Sequence, residues 1–192
     1  GCALYPQDAR DASELMKCAD TALYELKDGG RGGVYMFNPQ MMDKAKERAA
    51  QLNHARHIVR DNQIRPSYQP KVSLATGAIV GFEALLRWYC PHHGMKMPDT
   101  VVEAFNDYEL ATKISETMQM KVFADIATWI ASGVEVLPVS LNAAPIEFLR
   151  DNYAETFLRR LQMFRIPHHL IELEVTEHAF NKHGSKYVLR AL

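Results

Sequence analysis

The order of strand and helix patterns along this chain predicts an α/β fold with a parallel sheet. From about residue 65 the pattern is strand, turn, strand, helices, strand, helix, strand, which is typical of βαβ units. The length of 192 residues permits one or two domains with a substantial core. The first forty residues carry only a helix, a Gly pair and a short strand, too little to bury an apolar face alone. We therefore expect a small α+β piece ahead of the main fold.

The first predicted helix lies within the first thirty residues. Ser13 is its predicted N-cap, and Gly29 with Gly30 ends it. A short strand is expected over 33–37. The apolar residues that recur at helical spacing are Leu15, Ala19, Ala22, Leu23 and Leu26.

Residues 41–63 are predicted to form a connecting helix with a narrow apolar stripe and a basic, solvated remainder. We expect this stripe to serve as the seam of a homodimer. His54 and His57 could share a metal ion, but no third ligand accompanies them, so a solvated helix is the preferred interpretation. The stripe consists of Ala45, Ala49, Leu52, Ala55 and Val59.

A β-hairpin is expected next, with strands over 65–74 and 78–89 around a Thr-Gly turn at 76–77. The second strand carries one acid and one arginine in an otherwise apolar run. Because side chains alternate along a strand, Glu83 and Arg87 share a face and lie about 13 Å apart. That separation suits a carboxylate that holds a metal and a guanidinium that holds a phosphate. A surface strand with two unrelated charges is the alternative.

Helices and strands alternate through the remainder of the chain. Thr100 and Glu103 match a capping box that begins a helix after Pro98. The further predicted elements are a helix over 109–132, a strand over 136–142, a helical region that begins at Pro145 and closes before Pro167, and a strand over 170–176.

Composition and charge exclude several function classes. The 22 Lys and Arg residues nearly balance 23 Asp and Glu residues, which leaves no overall basic field for a nucleic-acid polymer. No apolar run approaches the roughly 18 residues of a membrane span, and no signal-peptide pattern opens the chain. The three cysteines are scattered, so disulfides are not expected. We expect a cytoplasmic segment without direct membrane contact, which could belong to a larger, membrane-anchored sensor.

Four motifs stand in order along the second part of the chain. They are Tyr68-Gln69-Pro70-Lys71-Val72, Glu83-Ala84-Leu85-Leu86-Arg87-Trp88, Ser140-Leu141-Asn142-Ala143-Ala144 and Ile171-Glu172-Leu173-Glu174-Val175-Thr176-Glu177. In wording and order they resemble the EAL family, bacterial phosphodiesterases that linearise the second messenger cyclic di-GMP. The resemblance implies a modified TIM barrel, of which this chain would hold a part.

The same resemblance implies a phosphodiesterase site. Cyclic di-GMP would be hydrolysed to linear pGpG with two Mg²⁺ or Mn²⁺ ions, which prefer carboxylate and amide oxygens as ligands. For Asn142 a buried strand amide, and for Gln69 a polar strand residue bonded to backbone, are the structural alternatives. By motif match, the metal ligands are Glu83 (also catalytic), Asn142 and Glu174, the substrate contacts are Gln69, Leu86 and Arg87, and the support of an active-site loop is Glu177.

A second resemblance covers the N-terminal part of the chain. Ala19-Asp20-Thr21-Ala22-Leu23-Tyr24, followed by Gly30-Arg31, resembles the C-terminal end of a GGDEF diguanylate cyclase domain. The resemblance implies that residues 1–6 form the strand that leads into this end. The residues that name that family would lie upstream, so no cyclase activity is assigned. The expected organisation is a GGDEF-like tail over 1–40, a linker helix over 41–63 and the N-terminal half of an EAL domain over 64–192.

Two departures from the EAL pattern bear on activity. Ala144 stands where the family usually has a small hydroxyl residue, which costs a local hydrogen bond. A complete (β/α)₈ barrel takes about 250 residues, so 64–192 provide roughly half of one. We expect the parent protein to be a phosphodiesterase and this chain alone to be inactive, with the rest of the barrel supplied by further sequence or a second chain. The alternative is a catalytically inactive module that binds cyclic di-GMP or dimerises.

Overall fold

The structure, a computed structural model, describes residues 1–28, 32–90, 94–149 and 152–175. The chain divides into two compact units, residues 1–53 and 54–192. The division falls inside a helix, and the domain boundaries predicted at residues 40 and 63 stay predictions. Both units are described separately below.

The first unit contains α1, Ala12–Asp28, and most of α2, which spans Pro39–Arg60. The helix predicted over 41–63 is therefore present, with its bounds shifted by a few residues. The N-cap predicted at Ser13 is wrong, because Asp11 lies directly before the first helical residue. Its Oδ1 accepts a hydrogen bond from the backbone N–H of Glu14 at 2.8 Å.

The strands predicted over 1–6 and 33–37 are wrong as extended elements. They reduce to one parallel bridge between Cys2 and Met36. The backbone N–H of Cys2 donates to the carbonyl of Tyr35 at 2.8 Å, and that of Phe37 donates to the carbonyl of Cys2 at 2.7 Å. So short a pairing gains too little to extend without a further strand beside it.

Five strands of the described residues form one mixed sheet in the second unit. Its order is β1-β2-β4-β5, with β3 paired to the end of β2. β1 and β2 are antiparallel around a turn in which Gly77 has φ +73°, which confirms the predicted hairpin. β2, β4 and β5 are parallel, as the alternation predicted. The strands are β1 (Ile64–Val72), β2 (Ile79–Cys90), β3 (Gly94–Lys96), β4 (Val139–Ala143) and β5 (Ile171–Val175).

Two long helices of the second unit supply much of its core. They are α3, Tyr108–Ala131, and α4, Tyr153–Phe164, and α3 packs against both β1 and α4. Alternate residues along the strands face this core, so one side of the sheet is apolar. Buried residues from strands and helices include Ala84, Trp88, Val139, Leu141, Val122, Phe123, Ile126 and Leu161.

The segment between β3 and α3 corrects one prediction. Pro98–Asn106 is a 3₁₀ helix that follows Met97, and no side chain of the described residues caps it. The helix start predicted at Thr100 is wrong, because Pro98 already starts the helix two residues earlier, while the contacts of the capping box between Thr100 and Glu103 stay a prediction. The helix predicted over 109–132 is confirmed as α3.

Two simpler expectations concern the membrane and the cysteines. None of the helices that the structure describes is long and apolar enough to cross a bilayer. Cys2, Cys18 and Cys90 are all free thiols, as their scattered spacing predicted.

Candidate functional site

One face of the sheet carries a continuous row of polar side chains. Strand pairing aligns Gln69 of β1 with Glu83 of β2, Glu83 with Ser140 of β4, and Ser140 with Glu172 of β5. Paired residues on neighbouring strands project from the same face. These four residues, here called the polar row, therefore lie opposite the apolar face that α3 and α4 cover.

The three predicted metal ligands come from three adjacent strands. Nδ2 of Asn142 donates a hydrogen bond to Oε1 of Glu83 at 2.7 Å. Asn142 is also in register with Glu174, and each is the penultimate residue of its strand. The motif match therefore selects residues that the fold brings together. Their roles as ligands stay predictions.

The chemistry of this donor set fits a hard divalent cation. Two carboxylates and one amide offer oxygen atoms, which Mg²⁺ and Mn²⁺ prefer over nitrogen or sulfur. Three carboxylates (Glu83, Glu172, Glu174) against one ammonium (Lys71) give this part of the face a formal charge of −2. Within the described ranges, no three His, Cys, Asp or Glu side chains form a group that could hold a metal. The cation site therefore stays a prediction.

A lysine that the sequence reasoning did not assign lies in the middle of this face. Nζ of Lys71 donates hydrogen bonds to Oγ of Ser140 and to Oε2 of Glu172. Oγ of Ser140 donates in turn to Oε2 of Glu172 at 2.7 Å. Nζ of Lys71 also lies 4.0 Å from Oε1 of Glu174. An ammonium thus neutralises part of the acidic face next to the predicted ligands.

These contacts set the protonation of one carboxyl group. Hydrogen bonds from Lys71 and Ser140 hold the pKa of the Glu172 carboxyl below its ordinary value. Glu172 is therefore ionised at neutral pH. Its negative charge is paired within the sheet, since Lys71 and Ser140 both donate hydrogen bonds to its Oε2 atom.

The predicted substrate contacts occupy different surroundings. Gln69 is exposed on the same face as Glu83, its partner across the strands. Arg87 shares that face by alternation, and its Nη1 donates to the carbonyl of Leu86 at 2.7 Å. The side chain of Leu86 points to the opposite face, so a substrate contact through this side chain would need access from the apolar side. Glu177 lies outside the described residues, as do His92 and His93.

The apolar side of the sheet carries a cavity of about 320 Å³ between the strands and α3. Leu86 is in its lining, together with apolar side chains of the neighbouring elements. Asn142 reaches this lining from β4, so the cavity adjoins the end of the sheet where the predicted ligands lie. Other lining residues include Phe105, Ile114, Met118 and Leu141.

Comparison with known families gives one match that covers most of the chain. A model of the EAL domain matches residues 49–192. The chain is 33% identical over 178 residues to MucR of Pseudomonas aeruginosa, a bifunctional diguanylate cyclase and cyclic di-GMP phosphodiesterase. That alignment covers 92% of this chain and 26% of MucR.

Two further relatives match most of this chain and are cyclic di-GMP phosphodiesterases. The cyclic di-GMP phosphodiesterase PdeR of Escherichia coli is 29% identical over 178 residues, which are 92% of this chain and 26% of PdeR. The cyclic di-GMP phosphodiesterase NbdA of Pseudomonas aeruginosa is 28% identical over 93% of this chain and 23% of its own length. The chain therefore spans about a quarter of the length of these relatives.

Solved structures show the same fold. The PaMucR phosphodiesterase in complex with c-di-GMP superposes with a TM-score of 0.65 and 24% identity, over 73% of this chain and 57% of that chain. The EAL enzyme Bd1971, bound to cAMP and cyclic di-GMP, superposes with a TM-score of 0.68 and 19% identity. This second match covers 96% of the present chain and 49% of Bd1971.

Proposed function

The chain belongs to the EAL domain family, and from this membership we propose that the protein containing it hydrolyses cyclic di-GMP to the linear dinucleotide. The observation that carries the proposal is the contact between Asn142 and Glu83, with Glu174 in register beside Asn142. The relatives PdeR and NbdA, both cyclic di-GMP phosphodiesterases, support the substrate.

We assign cation binding to Glu83, Asn142 and Glu174. Mg²⁺ or Mn²⁺ at such a site polarises phosphoryl oxygens and lowers the pKa of a coordinated water. The two glutamates supply the negative charge that retains a divalent ion, and Asn142 adds a neutral oxygen. Since an octahedral ion needs about six ligands and a pair of ions needs more, these three donors are too few. We therefore propose that further donors complete the site and that these residues alone do not support turnover.

Substrate binding is assigned to the residues on the same face as the polar row. Arg87 can present two parallel N–H donors in one plane to a phosphate, a geometry that the three N–H groups of a lysine ammonium do not match. Gln69 is exposed beside Glu83 and can donate to, or accept from, a guanine edge or a phosphate. Glu177 is assigned to the support of a neighbouring loop on motif grounds alone.

The first unit is assigned separately. We propose that residues 1–40 are the end of a GGDEF-like domain and that the helix after them connects it to the EAL domain. The support is that the family match begins at residue 49, and that residues 1–53 form their own compact unit. No nucleotide chemistry is assigned to this unit.

The test uses the full-length protein that contains this chain, its Glu83→Gln variant and a Glu109→Gln control. Glu109 is an exposed carboxylate on α3, paired with Lys113. Production of linear dinucleotide is followed by chromatography with Mn²⁺ present, and cyclic di-GMP binding by calorimetry. We expect turnover by wild type and by Glu109→Gln. Glu83→Gln should bind cyclic di-GMP without turning it over.

The other outcomes separate the alternatives. Binding by the wild-type protein without any turnover would replace the enzyme with a regulatory module that senses cyclic di-GMP. Absence of both binding and turnover would contradict the proposal entirely.

A further inference from the structure

We propose that Lys71 is a positioning residue, which crosses β2 above Gly81 and fixes the strand that carries Glu174. The contacts of Lys71 with Ser140 and Glu172, together with Gly81, are here called the lysine brace. Its consequence for metal binding rests on the function proposed above. The existence of the brace does not.

Lys71 binds side chains on strands that do not neighbour its own strand in the sheet. Lys71 lies on β1, whereas Ser140 and Glu172 lie on β4 and β5, and β2 separates β1 from both. Neighbouring strands are about 4.8 Å apart, so the lysine must span two strand spacings to reach Ser140. Only a long, flexible side chain that runs along the face of the sheet can do this.

Gly81 provides the space for this crossing. Lys71 and Gly81 are direct partners in the β1–β2 register. A Cβ atom at position 81 would lie 3.2 Å from Cε of Lys71 and 2.8 Å from the carbonyl oxygen of Pro138. That oxygen already accepts a hydrogen bond from the backbone N–H of Phe82 at 2.8 Å, so it is held in place.

Gly81 is therefore required for space and not for backbone conformation. Its φ angle does not fall among the positive values found at glycines such as Gly77. A glycine inside a strand ordinarily weakens it, so one that lies beneath a crossing side chain has a packing reason.

At the far end of the brace, the side chains of Lys71, Ser140 and Glu172 all bind one another. Ser140 is fully buried at 0% exposure, and its hydroxyl oxygen accepts from Lys71 while its O–H donates to Glu172. Lys71 binds the same carboxylate oxygen directly. Three side chains from three strands thus restrain one another, and β1, β4 and β5 are tied together independently of backbone pairing.

The brace adjoins Glu174, the proposed metal ligand on β5. Glu174 lies two residues after Glu172 on the same face, with its Oε1 atom 4.0 Å from Nζ of Lys71. With β5 held through Glu172, Glu174 keeps its register with Asn142. Groups that orient metal ligands from behind commonly change metal affinity by about 10- to 100-fold when they are removed.

Charge and position predict opposite results for the loss of Lys71. An ammonium close to a cation site repels the cation, so a purely electrostatic role means that Lys71→Met binds Mn²⁺ more tightly. A positioning role means weaker binding. Ser140→Ala separates the two effects further, since it removes one partner of the lysine and changes no charge.

The first measurement needs no metal. In the full-length protein with chelator, acetylation of single lysines is followed by mass spectrometry, with the exposed Lys46 as internal reference. We expect Lys71 to react several-fold more slowly than Lys46, and Gly81→Ala and Ser140→Ala each to accelerate its reaction. Equal rates for Lys71 in wild type and both variants would overturn the brace, whatever the enzyme does.

The second measurement is the Mn²⁺ dissociation constant, read from the electron paramagnetic resonance of free Mn²⁺. We expect Lys71→Met and Ser140→Ala each to weaken Mn²⁺ binding by about tenfold, and the double variant to be no weaker than either. Lys113→Met removes an exposed charge from α3 and should bind as wild type does. Tighter binding by Lys71→Met, or additive losses, would overturn the positioning role.

Failure of the two proposals can be told apart. If the wild-type protein binds no Mn²⁺ and turns over no cyclic di-GMP, the proposed function fails, and the acetylation rates still decide whether the brace exists. If wild type binds Mn²⁺ and hydrolyses substrate while Lys71→Met and Ser140→Ala leave the Mn²⁺ affinity unchanged, only the positioning role fails.

Discussion

The amide nitrogen of Asn142 donates a 2.7 Å hydrogen bond to Oε1 of Glu83, although 59 positions separate the two residues in the chain. The hydrogen bond directs the nitrogen, and not the amide oxygen, toward the carboxylate. A cation held by both residues would need that oxygen, so on the proposed function the amide would have to turn over for a cation to bind there. Cation binding would then replace this hydrogen bond with oxygen contacts from both side chains.

Replacement of Asn142 by Asp tests this exchange. Asn142→Asp places a second carboxylate against Glu83, and like charges at this distance repel, so the free energy of unfolding should fall by up to about 1 kcal/mol without metal. Mn²⁺ should reverse the effect, because two carboxylates retain a divalent ion better than one. Melting temperatures with chelator and with Mn²⁺ measure both parts.

A matched control adds the same charge elsewhere. Asn106→Asp changes an exposed residue at the end of the 3₁₀ helix, which belongs to neither β2 nor β4. We expect its Mn²⁺-induced rise in melting temperature to equal that of wild type. The same rise for Asn142→Asp would contradict a cation at Asn142.

A second prediction concerns the attachment of β1 to α3. The hydroxyl of Tyr68 donates to Oδ2 of Asp125 at 2.6 Å, and its ring packs edge-on against Trp129 with centroids 4.9 Å apart. Tyr68→Phe keeps the ring and leaves the half-buried carboxylate without this donor. We expect the free energy of unfolding to fall by about 1–3 kcal/mol, measured by urea denaturation.

The double variant distinguishes the hydrogen bond from the ring. Asp125→Asn with Tyr68→Phe should cost less than the sum of the single changes, because both remove the same interaction. Strict additivity would mean that the 2.6 Å contact contributes nothing.

A third prediction follows from a buried thiol in the first unit. Cys18 is 3% exposed, and burial, with the carboxylates of Glu14 and Asp8 nearby, raises the pKa of its thiol. The unfolded chain therefore loses this proton at lower pH than the folded one, and ionisation favours unfolding. Stability should be unaffected below the ordinary thiol pKa of about 8.5 and should fall as pH rises from there toward the raised value.

Removal of the thiol should flatten this part of the pH profile. Urea unfolding of wild type and Cys18→Ala, followed by circular dichroism from about pH 7 to pH 10, gives the two slopes. Cys90→Ala serves as the control, since Cys90 lies on β2 in the second unit and should keep the wild-type slope. Parallel slopes for all three proteins would mean that Cys18 does not titrate differently on folding.

Local patterns in the sequence were sufficient for the hairpin and for the faces of the strands. A Thr-Gly turn between two apolar runs predicts β1 and β2, and alternation alone puts Glu83 on the face of Arg87 and Glu172 on that of Glu174. The helix starts were less predictable, because several residues near a helix end can serve as caps. Asp11 competes with Ser13, and Pro98 starts its helix ahead of Thr100.

The lysine brace could not be predicted in the same way. It depends on the register that unites positions 71, 140 and 172 across four strands, and no local pattern contains that information. One signal was available, since Gly81 interrupts the apolar run before Glu83 without a turn around it. A glycine inside a strand indicates close approach by another group, here the stem of Lys71.

The last prediction concerns substrate recognition by Arg87. A guanidinium offers a planar pair of donors that matches two phosphate oxygens, whereas an ammonium offers a single point charge. Arg87→Lys should therefore raise the KM for cyclic di-GMP by about tenfold while the Mn²⁺ dissociation constant stays as in wild type, because net charge is unchanged.

Arg65 is the matched control for Arg87, since the two residues are direct partners across β1 and β2. The Nη1 atom of Arg65 donates to the carbonyls of Asn62 and Ile64, at 2.8 Å and 2.7 Å, which uses both of its N–H groups, whereas Nη1 of Arg87 donates only to the carbonyl of Leu86. Arg65→Lys should leave the KM unchanged. If both variants raise the KM equally, the guanidinium of Arg87 has no specific phosphate contact, and charge on this part of the sheet accounts for substrate attraction.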